Sequence, residues 1–232
     1  MSVGFRVFTK RILPPKELVE GFRHIPASNI ADTMGRLSAI SSEIHLMTKP
    51  GDGNMVGVAL TVKARPGDNL MLHKALNMIE PGDVVVVSNE GDRSQCLMGE
   101  VMATYAKSRG VAGFVFDGPM RDIDSLYEGG VPIYATGTTP SGPFKEGPGE
   151  INVPIACGGI MVNPGDIIVG DPDGVIVIPA RDAQTVLEAA QKFMAADQGK
   201  LKAAQEGCAK RDWVDKTLAA KGCEIIDDVY RS

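Results

Sequence analysis

Residues 109–126 read RGVAGFVFDGPMRDIDSL, and the change of character along this stretch sets the architecture around it. Val111 to Phe116 is a short apolar run with β-branched and aromatic residues, bounded by Gly110 and by Gly118-Pro119, and it reads as a buried strand. Asp117-Gly118-Pro119 turns the chain at once, and the next polar side chains are Arg121 and Asp122. A guanidinium and a carboxylate therefore stand at a strand end, where ligands gather in α/β sheets.

Such a pair has a definite chemistry. An Arg fork holds a carboxylate or a developing enolate oxygen through two parallel hydrogen bonds, and an adjacent Asp holds a hard divalent cation that polarises the same ligand. Taken alone, an Arg-Asp dipeptide is more often a surface ion pair, because neighbouring side chains of an extended segment point to opposite faces. Upstream, Gly99 to Ala106 reads GEVMATYA, with apolar residues at 101, 102, 105 and 106 that predict one face of a helix beginning near Gly99. Backbone N–H groups at such a start bind anions, and Gly permits close approach. Glu100 precedes Arg121 by 21 positions, with one helix and one strand between them, the length of a unit that returns the chain to the same sheet edge. Glu100, the helix start at Gly99, Val101 and Met102, Arg121 and a metal-competent Asp122 are thus expected in one cleft.

Four motifs extend the pattern over about residues 25–205: Ile30 to Gly35, Gly99 to Thr104, Asp117 to Asp124, and Asn163 to Val175. In their order and spacing the chain resembles the RraA-like family, which includes the 4-hydroxy-4-methyl-2-oxoglutarate/4-carboxy-4-hydroxy-2-oxoadipate aldolases and the regulators of ribonuclease E activity. The resemblance implies an α/β fold, a layered β/β/α domain of the swivelling type. It also implies a class II, divalent-metal-dependent lyase that cleaves a 4-hydroxy-2-oxo acid to pyruvate and a second oxo acid, with oxaloacetate decarboxylation through the same enolate. The roles it implies are Asp122 as ligand of Mg2+ or Mn2+, Arg121 on the substrate's 1-carboxylate and 2-oxo oxygen, the backbone from Gly99 through Val101 to Met102 as the oxyanion pocket, and Glu100 on the water that takes the C4 hydroxyl proton. It further implies a homotrimer or dimer of trimers in which an acidic residue of the C-terminal helix, Asp197 by position, reaches the neighbouring site. The family's aldolases carry Asp where this chain has Glu100, and the regulators carry Gly; the retained carboxylate leans toward the enzymes. The competing expectation is a non-catalytic ribonuclease E inhibitor-like binding protein, which shares the Arg-Asp pair. A methyltransferase is set aside, since no Gly-rich loop with a following acidic residue suits S-adenosylmethionine.

The remaining sequence frames these readings. With 232 residues and 44% hydrophobic content the chain suits one ordinary domain, taken as residues 1–207, with 208–232 as an added arm. A net charge of -5 and the lack of any basic run argue against a nucleic-acid surface. No apolar stretch of spanning length and no secretory segment is evident, so neither a membrane nor export is expected and the cytoplasm is the expected location. Cys96, Cys157, Cys208 and Cys223 show no paired spacing and are expected to be reduced, with Cys96 either packed or lining the cleft. Three histidines, His24, His45 and His73, lack metal-ligand spacing.

Other segments are expected as follows. A short helix covers residues 16–22, and another runs from Ile30 to Leu37 with Ser28 or Asn29 as N-cap. Asp32 is read as packing near the site, as a cap or as solvent-exposed. Residues 41–54 are a loop, 57–64 a strand, and 70–78 a helix entered by a turn bearing Arg65 and Asp68. Pro81-Gly82-Asp83 and Pro164-Gly165-Asp166 each lead into a β-branched strand, and their Asp residues are expected to cap turns rather than bind metal. Residues 175–178 form a further buried strand. Residues 129–160 look irregular, with Lys145 either exposed or drawing the distal carboxylate of a substrate. Residues 181–207 have helical periodicity.

Overall fold

The computed structural model describes residues 3–230. The chain forms two compact units that part between Phe193 and Met194. The first holds β1 (Phe5–Val7), α1 (Lys16–Glu20), α2 (Ala27–Thr33), β2 (His45–Leu46), β3 (Met55–Ala64), α3 (Leu70–Leu76), β4 (Asp83–Ser88) and α4 (Glu100–Ser108). It continues through β5 (Gly113–Phe116), α5 (Ile123–Tyr127), β6 (Ile133–Ala135), β7 (Gly149–Ile151), β8 (Ile155–Cys157), β9 (Ile160–Val162), β10 (Ile167–Asp171) and β11 (Gly174–Ile178). Helix α6 (Ala183–Gln205) begins in the first unit and runs into the second, which adds α7 (Trp213–Ala220). The boundary expected at 207/208 falls just past the end of α6, at Gly207, whose φ is +69°.

Consecutive parallel pairing of β3, β4, β5 and β6 builds the centre of a nine-stranded sheet. When strands adjacent in sequence are also adjacent in the sheet, right-handed crossovers place their helices on one face. Accordingly Leu72 of α3, Ala103 and Ala106 of α4 and Leu126 of α5 share one core with Val85, Val87, Phe114 and Phe116. The alternate residues Val84, Val86 and Val115 face the other way, into a second core with Ile155 and Val162 of the hairpin β8–β9 and Ile168 of β10. A strand sends successive side chains to opposite faces, so a run of valines unbroken by polar residues is what a sheet covered on both sides requires. The layered α/β fold is thus present, with helices on one face and β-structure on the other. Long β3 serves three partners on two edges: β4 on one, and on the other β10 beside Met55–Val58 and β7 beside Val62–Ala64.

Several local expectations are corrected. The strand expected from Val111 starts at Gly113, because Val111 N–H donates to Ala106 O and Ala112 N–H to Asp83 O, closing the α4–β5 turn. The second helix starts at Ala27, not Ile30, and its N-cap is Pro26 rather than Ser28 or Asn29; Asn29 is buried within it. The buried face of α4 is Ala103 and Ala106, while Val101 is 83% exposed, since only small residues let this helix lie close on the sheet. Residues 129–160 are not irregular but contain β6, β7 and β8, each of three residues, too short to show a period.

Both Pro-Gly-Asp turns behave as expected. Asp83 accepts from Glu80 N–H at 2.9 Å, and Asp166 accepts from Asn163 N–H at 2.8 Å and Ala180 N–H at 3.1 Å. Asp83 also forms a buried ion pair with Arg11, whose guanidinium donates in addition to Val58 O, and this staples the N-terminal segment to the sheet. Burial pushes the Asp83 carboxyl up, against the pull of the Glu80 N–H and Arg11. Removing one partner of such a pair strands the other charge. Arg11→Ala is expected to lower unfolding stability by about 3–5 kcal/mol in urea denaturation; a loss under about 1 kcal/mol would contradict this pairing.

Candidate active site

The loops after β3, β4 and β5 all open at the carboxyl ends of parallel strands, the usual place for a ligand in such a sheet. Two hydrogen bonds sew the second loop to the third: Leu97 N–H donates to Pro119 O at 2.9 Å, and Arg121 N–H to Met98 O at 3.0 Å. Residues 97–99 and 119–122 therefore run side by side. Asp122 ends this pairing as the N-cap of α5 in the left-handed region, φ +63° and ψ +40°, a conformation that costs a non-glycine residue energy and is held by its surroundings.

That turn delivers the Asp122 carboxylate to the first turn of α4, where Glu100 N–H donates to Oδ2 at 3.0 Å. A negative charge there also meets the positive end of the helix dipole. Gly99 makes the approach possible: a Cβ at this position would lie 2.3 Å from Asp122 Oδ2 and 3.1 Å from Arg121 Cγ. The N–H groups of Val101 and Met102, in the first turn, have no intrahelical acceptor and remain for a ligand. Arg121 Nε lies 3.7 Å from Asp122 Oδ2, with side chains 47% and 42% exposed, so the guanidinium keeps most of its donors for another anion.

A cavity of about 180 Å3 lies here, and Gly99, Val101, Met102, Arg121 and Asp122 all line it, as the sequence predicts. Glu100 does not. It lines a separate pocket between α4 and α5 with Lys107, Ser125 and Glu128, because successive helical residues project about 100° apart and Val101 and Met102 take the cavity side. Asp32 is on the helix surface, paired with Arg36 four residues on. Asp197 belongs to the second unit, on α6, 3.4 Å from Lys200 Nζ.

Three further residues line the cavity: Asn69 and His73, which the sequence left as structural, and Lys145, which it left either exposed or facing a substrate. Lys145 arrives on the loop after β6, which buried Asp68 ties to the β3–α3 turn by accepting from Glu146 N–H at 2.6 Å and Gly147 N–H at 2.8 Å. Asn69 N–H and Phe144 N–H add hydrogen bonds to Phe144 O and Gly67 O. Burial lowers the pKa of His73, and the nearby Lys145 charge lowers it further, which favours the neutral imidazole. Cys96, buried, also lines the cavity and has its thiol pushed up by burial, and all four cysteines are free, as expected. Asn69 is 2% exposed; its Nδ2 donates to Leu97 O at 2.9 Å, while its Oδ1 has no partner.

A metal ion here has one carboxylate to hold it. Among the described residues no three His, Cys, Asp or Glu gather as a ligand set. Asp122 keeps Oδ1 and half-exposed surroundings, and a hard cation that retains waters and takes ligand oxygens fits such a single-carboxylate site.

The chain belongs to the RraA-like family: the model for RraA-like proteins, described as Aldolase/RraA, matches residues 27–177. A Halalkalibacterium halodurans protein named "Putative 4-hydroxy-4-methyl-2-oxoglutarate aldolase" is 39% identical over 203 residues, 87% of this chain and 96% of that protein. Streptomyces coelicolor RraAS2, described as an unusual member of the RNase ES inhibitor RraA protein family, superposes with a TM-score of 0.72 at 29% identity, covering 82% of this chain and 98% of its own. The RNA-processing inhibitor RraA from Thermus thermophilis gives a TM-score of 0.61 at 28% identity, covering 66% and 92%. No helix among the described residues is long and apolar enough to cross a membrane.

If Gly99 is small to admit the Asp122 carboxylate, the two positions must be coupled. Gly99→Ala is expected to cost about 1–3 kcal/mol by overpacking, and clearly less in an Asp122→Ala background, where the space is free. Additive costs in a double-mutant cycle of unfolding free energies would contradict the arrangement.

Proposed function

We propose that the chain is a divalent-metal-dependent lyase that cleaves a 4-hydroxy-2-oxo acid to pyruvate and a second oxo acid. One observation carries the reading: Arg121, Asp122 and the unpaired N–H groups at the start of α4 converge on one small cavity at the strand ends. The likeness to an aldolase-named relative supports it. In the proposed cycle Arg121 binds the 1-carboxylate and 2-oxo oxygen of the substrate, and the Val101 and Met102 N–H groups face the same oxygens. Asp122 is the ligand for Mg2+ or Mn2+, which when bound supplies Lewis-acid polarisation of the 2-oxo group. Loss of the C4 hydroxyl proton breaks the C3–C4 bond, and the electron pair moves into the pyruvate enolate, whose oxygen Arg121 and the helix N–H groups stabilise. Protonation at C3 then gives pyruvate.

Glu100 enters this proposal as the carboxylate that positions a water for the C4 hydroxyl proton. That role stands on its place in the first turn of α4 and on the family resemblance, since its side chain borders the adjoining pocket. A trimer or dimer of trimers, with Asp197 acting across subunits, belongs to the proposal on the same resemblance. The metal route is preferred to a lysine Schiff base because Asp122 stands beside Arg121 at the helix start; Lys107 donates to Gly129 O at 2.8 Å and lies off the cavity, whereas Lys145 lines it. The likeness to RNA-processing inhibitors favours a second reading, a non-catalytic binding protein.

Pyruvate release from oxaloacetate and from 4-hydroxy-4-methyl-2-oxoglutarate separates the two. Turnover is expected with Mg2+ or Mn2+ and not with EDTA, and Arg121→Ala is expected to lose more than about 100-fold in rate. An Arg121→Ala variant with undiminished turnover would refute the site assignment, and no turnover of either substrate with any metal would favour the binding protein.

A further inference from the structure

The strands that carry the active-site loops also end on the sheet face away from the helices. There Lys63, near the end of β3, pairs in register with Ser88, the last residue of β4, and Asp117 follows β5 with its N–H donating to Val87 O at 3.0 Å. Since β4 lies between β3 and β5, the order across the sheet is lysine, serine, aspartate. By the alternation of a strand these three continue the phase of Ala59, Val84, Val86 and Val115, which face the β8–β9 hairpin. Together with Glu90, and with Pro154 and Ile155 at the start of the hairpin, they line a cavity of about 270 Å3. It shares no lining residue with the cavity at Arg121.

Three of these groups are open to a ligand. Ser88 is 6% exposed, and among the described residues its hydroxyl has no hydrogen-bond partner, although buried hydroxyls are ordinarily paired. Lys63 makes no ion pair among the described residues, because its cross-strand neighbour Glu150 is engaged by Arg6. Asp117 makes none either. Burial pushes its carboxyl up, against the pull of the Gly91 and Gly158 N–H groups and of Arg93, which is itself paired with Glu43.

Charge and spacing select the ligand. An anion alone answers Lys63 and faces two carboxylates, Asp117 and Glu90; a cation alone leaves the lysine unanswered. A zwitterion answers both ends of the row. Two strand spacings put the Cα atoms of Lys63 and Asp117 about 10 Å apart. An α-amino acid, about 2.5 Å from nitrogen to carboxyl carbon, leaves room for a charge-assisted hydrogen bond at each end, with the Ser88 hydroxyl between them. Pro154 and Ile155 offer an apolar wall to a small side chain.

We infer that this cavity is a second ligand site, for a small α-amino acid whose carboxylate lies at Lys63 and whose ammonium lies at Asp117, with Ser88 hydrogen-bonded between the two. It depends on neither reading of the cavity at Arg121.

The test is a ligand-observed NMR titration of the full chain in EDTA with alanine, propionate and ethylamine, the last two being alanine without its ammonium and without its carboxylate. Alanine is expected to bind more tightly than either by about tenfold, the scale of one charge-assisted hydrogen bond. Lys63→Met is expected to weaken alanine by about tenfold, Ser88→Ala to weaken it as well, and Asp117→Asn to bring it down to the affinity of propionate. Arg121→Ala is expected to leave alanine binding in place, since that residue lines the other cavity. Lys63 is exposed, so its variant is expected to fold and decides the matter if Asp117→Asn does not fold. Alanine no tighter than propionate or ethylamine, alanine affinity unchanged in both Lys63→Met and Ser88→Ala, or its loss in Arg121→Ala would overturn the inference.

Discussion

The contact on which the site depends is the Asp122 carboxylate seated on the first turn of α4, in the room left by the missing side chain of Gly99. It ties the β5–α5 turn to the start of α4 and fixes Asp122 in a left-handed conformation. It also places Arg121 beside Gly99, in the cavity that Val101 and Met102 line. A side chain at residue 99 would collide with the carboxylate oxygen and press on the guanidinium stem together. Everything proposed for the chemistry inherits its geometry from this junction, and the junction inherits its own from parallel strands β4 and β5, whose ends lie side by side.

Electrostatics then set the character of the cavity. The end at Asp122 and Arg121 combines a half-exposed carboxylate, a guanidinium held loosely at 3.7 Å from it, and a helix N-terminus. Such an end suits a hard cation and a chelating oxo acid together. Lys145 and a desolvated His73 line the same cavity, where Asp122 is the one carboxylate among the lining residues.

Much of this is legible in the sequence, for identifiable reasons. The valines of β4 and the Phe-Val-Phe of β5 announce strands covered on both faces, and the two Pro-Gly-Asp turns announce where strands begin. Arg121, Asp122 and Gly99 meet as expected because one helix and one strand separate them. Glu100 borders the adjoining pocket, one step of about 100° round the helix from Val101. Strands β6, β7 and β8 are hidden because three residues hold too little pattern; β6 and β7 are fixed by pairing with β5 and β3, and β8 by its hairpin with β9. Lys145 and His73 carry no local signal at all: they meet through Asp68, whose hydrogen bonds reach residues 78 and 79 positions away. The Arg65-Pro66-Gly67-Asp68-Asn69 turn just after a strand is the one sequence sign that could have pointed there.

The central claim is that this cavity stabilises an enolate, and the most direct measurement removes the aldol substrate altogether. Pyruvate is incubated with the protein and Mg2+ or Mn2+ in D2O, and deuterium entry into its methyl group is followed by NMR. The account predicts exchange above the uncatalysed rate that stops with EDTA. Exchange no faster than that of buffer with the same metal, in protein shown to be folded, would contradict it.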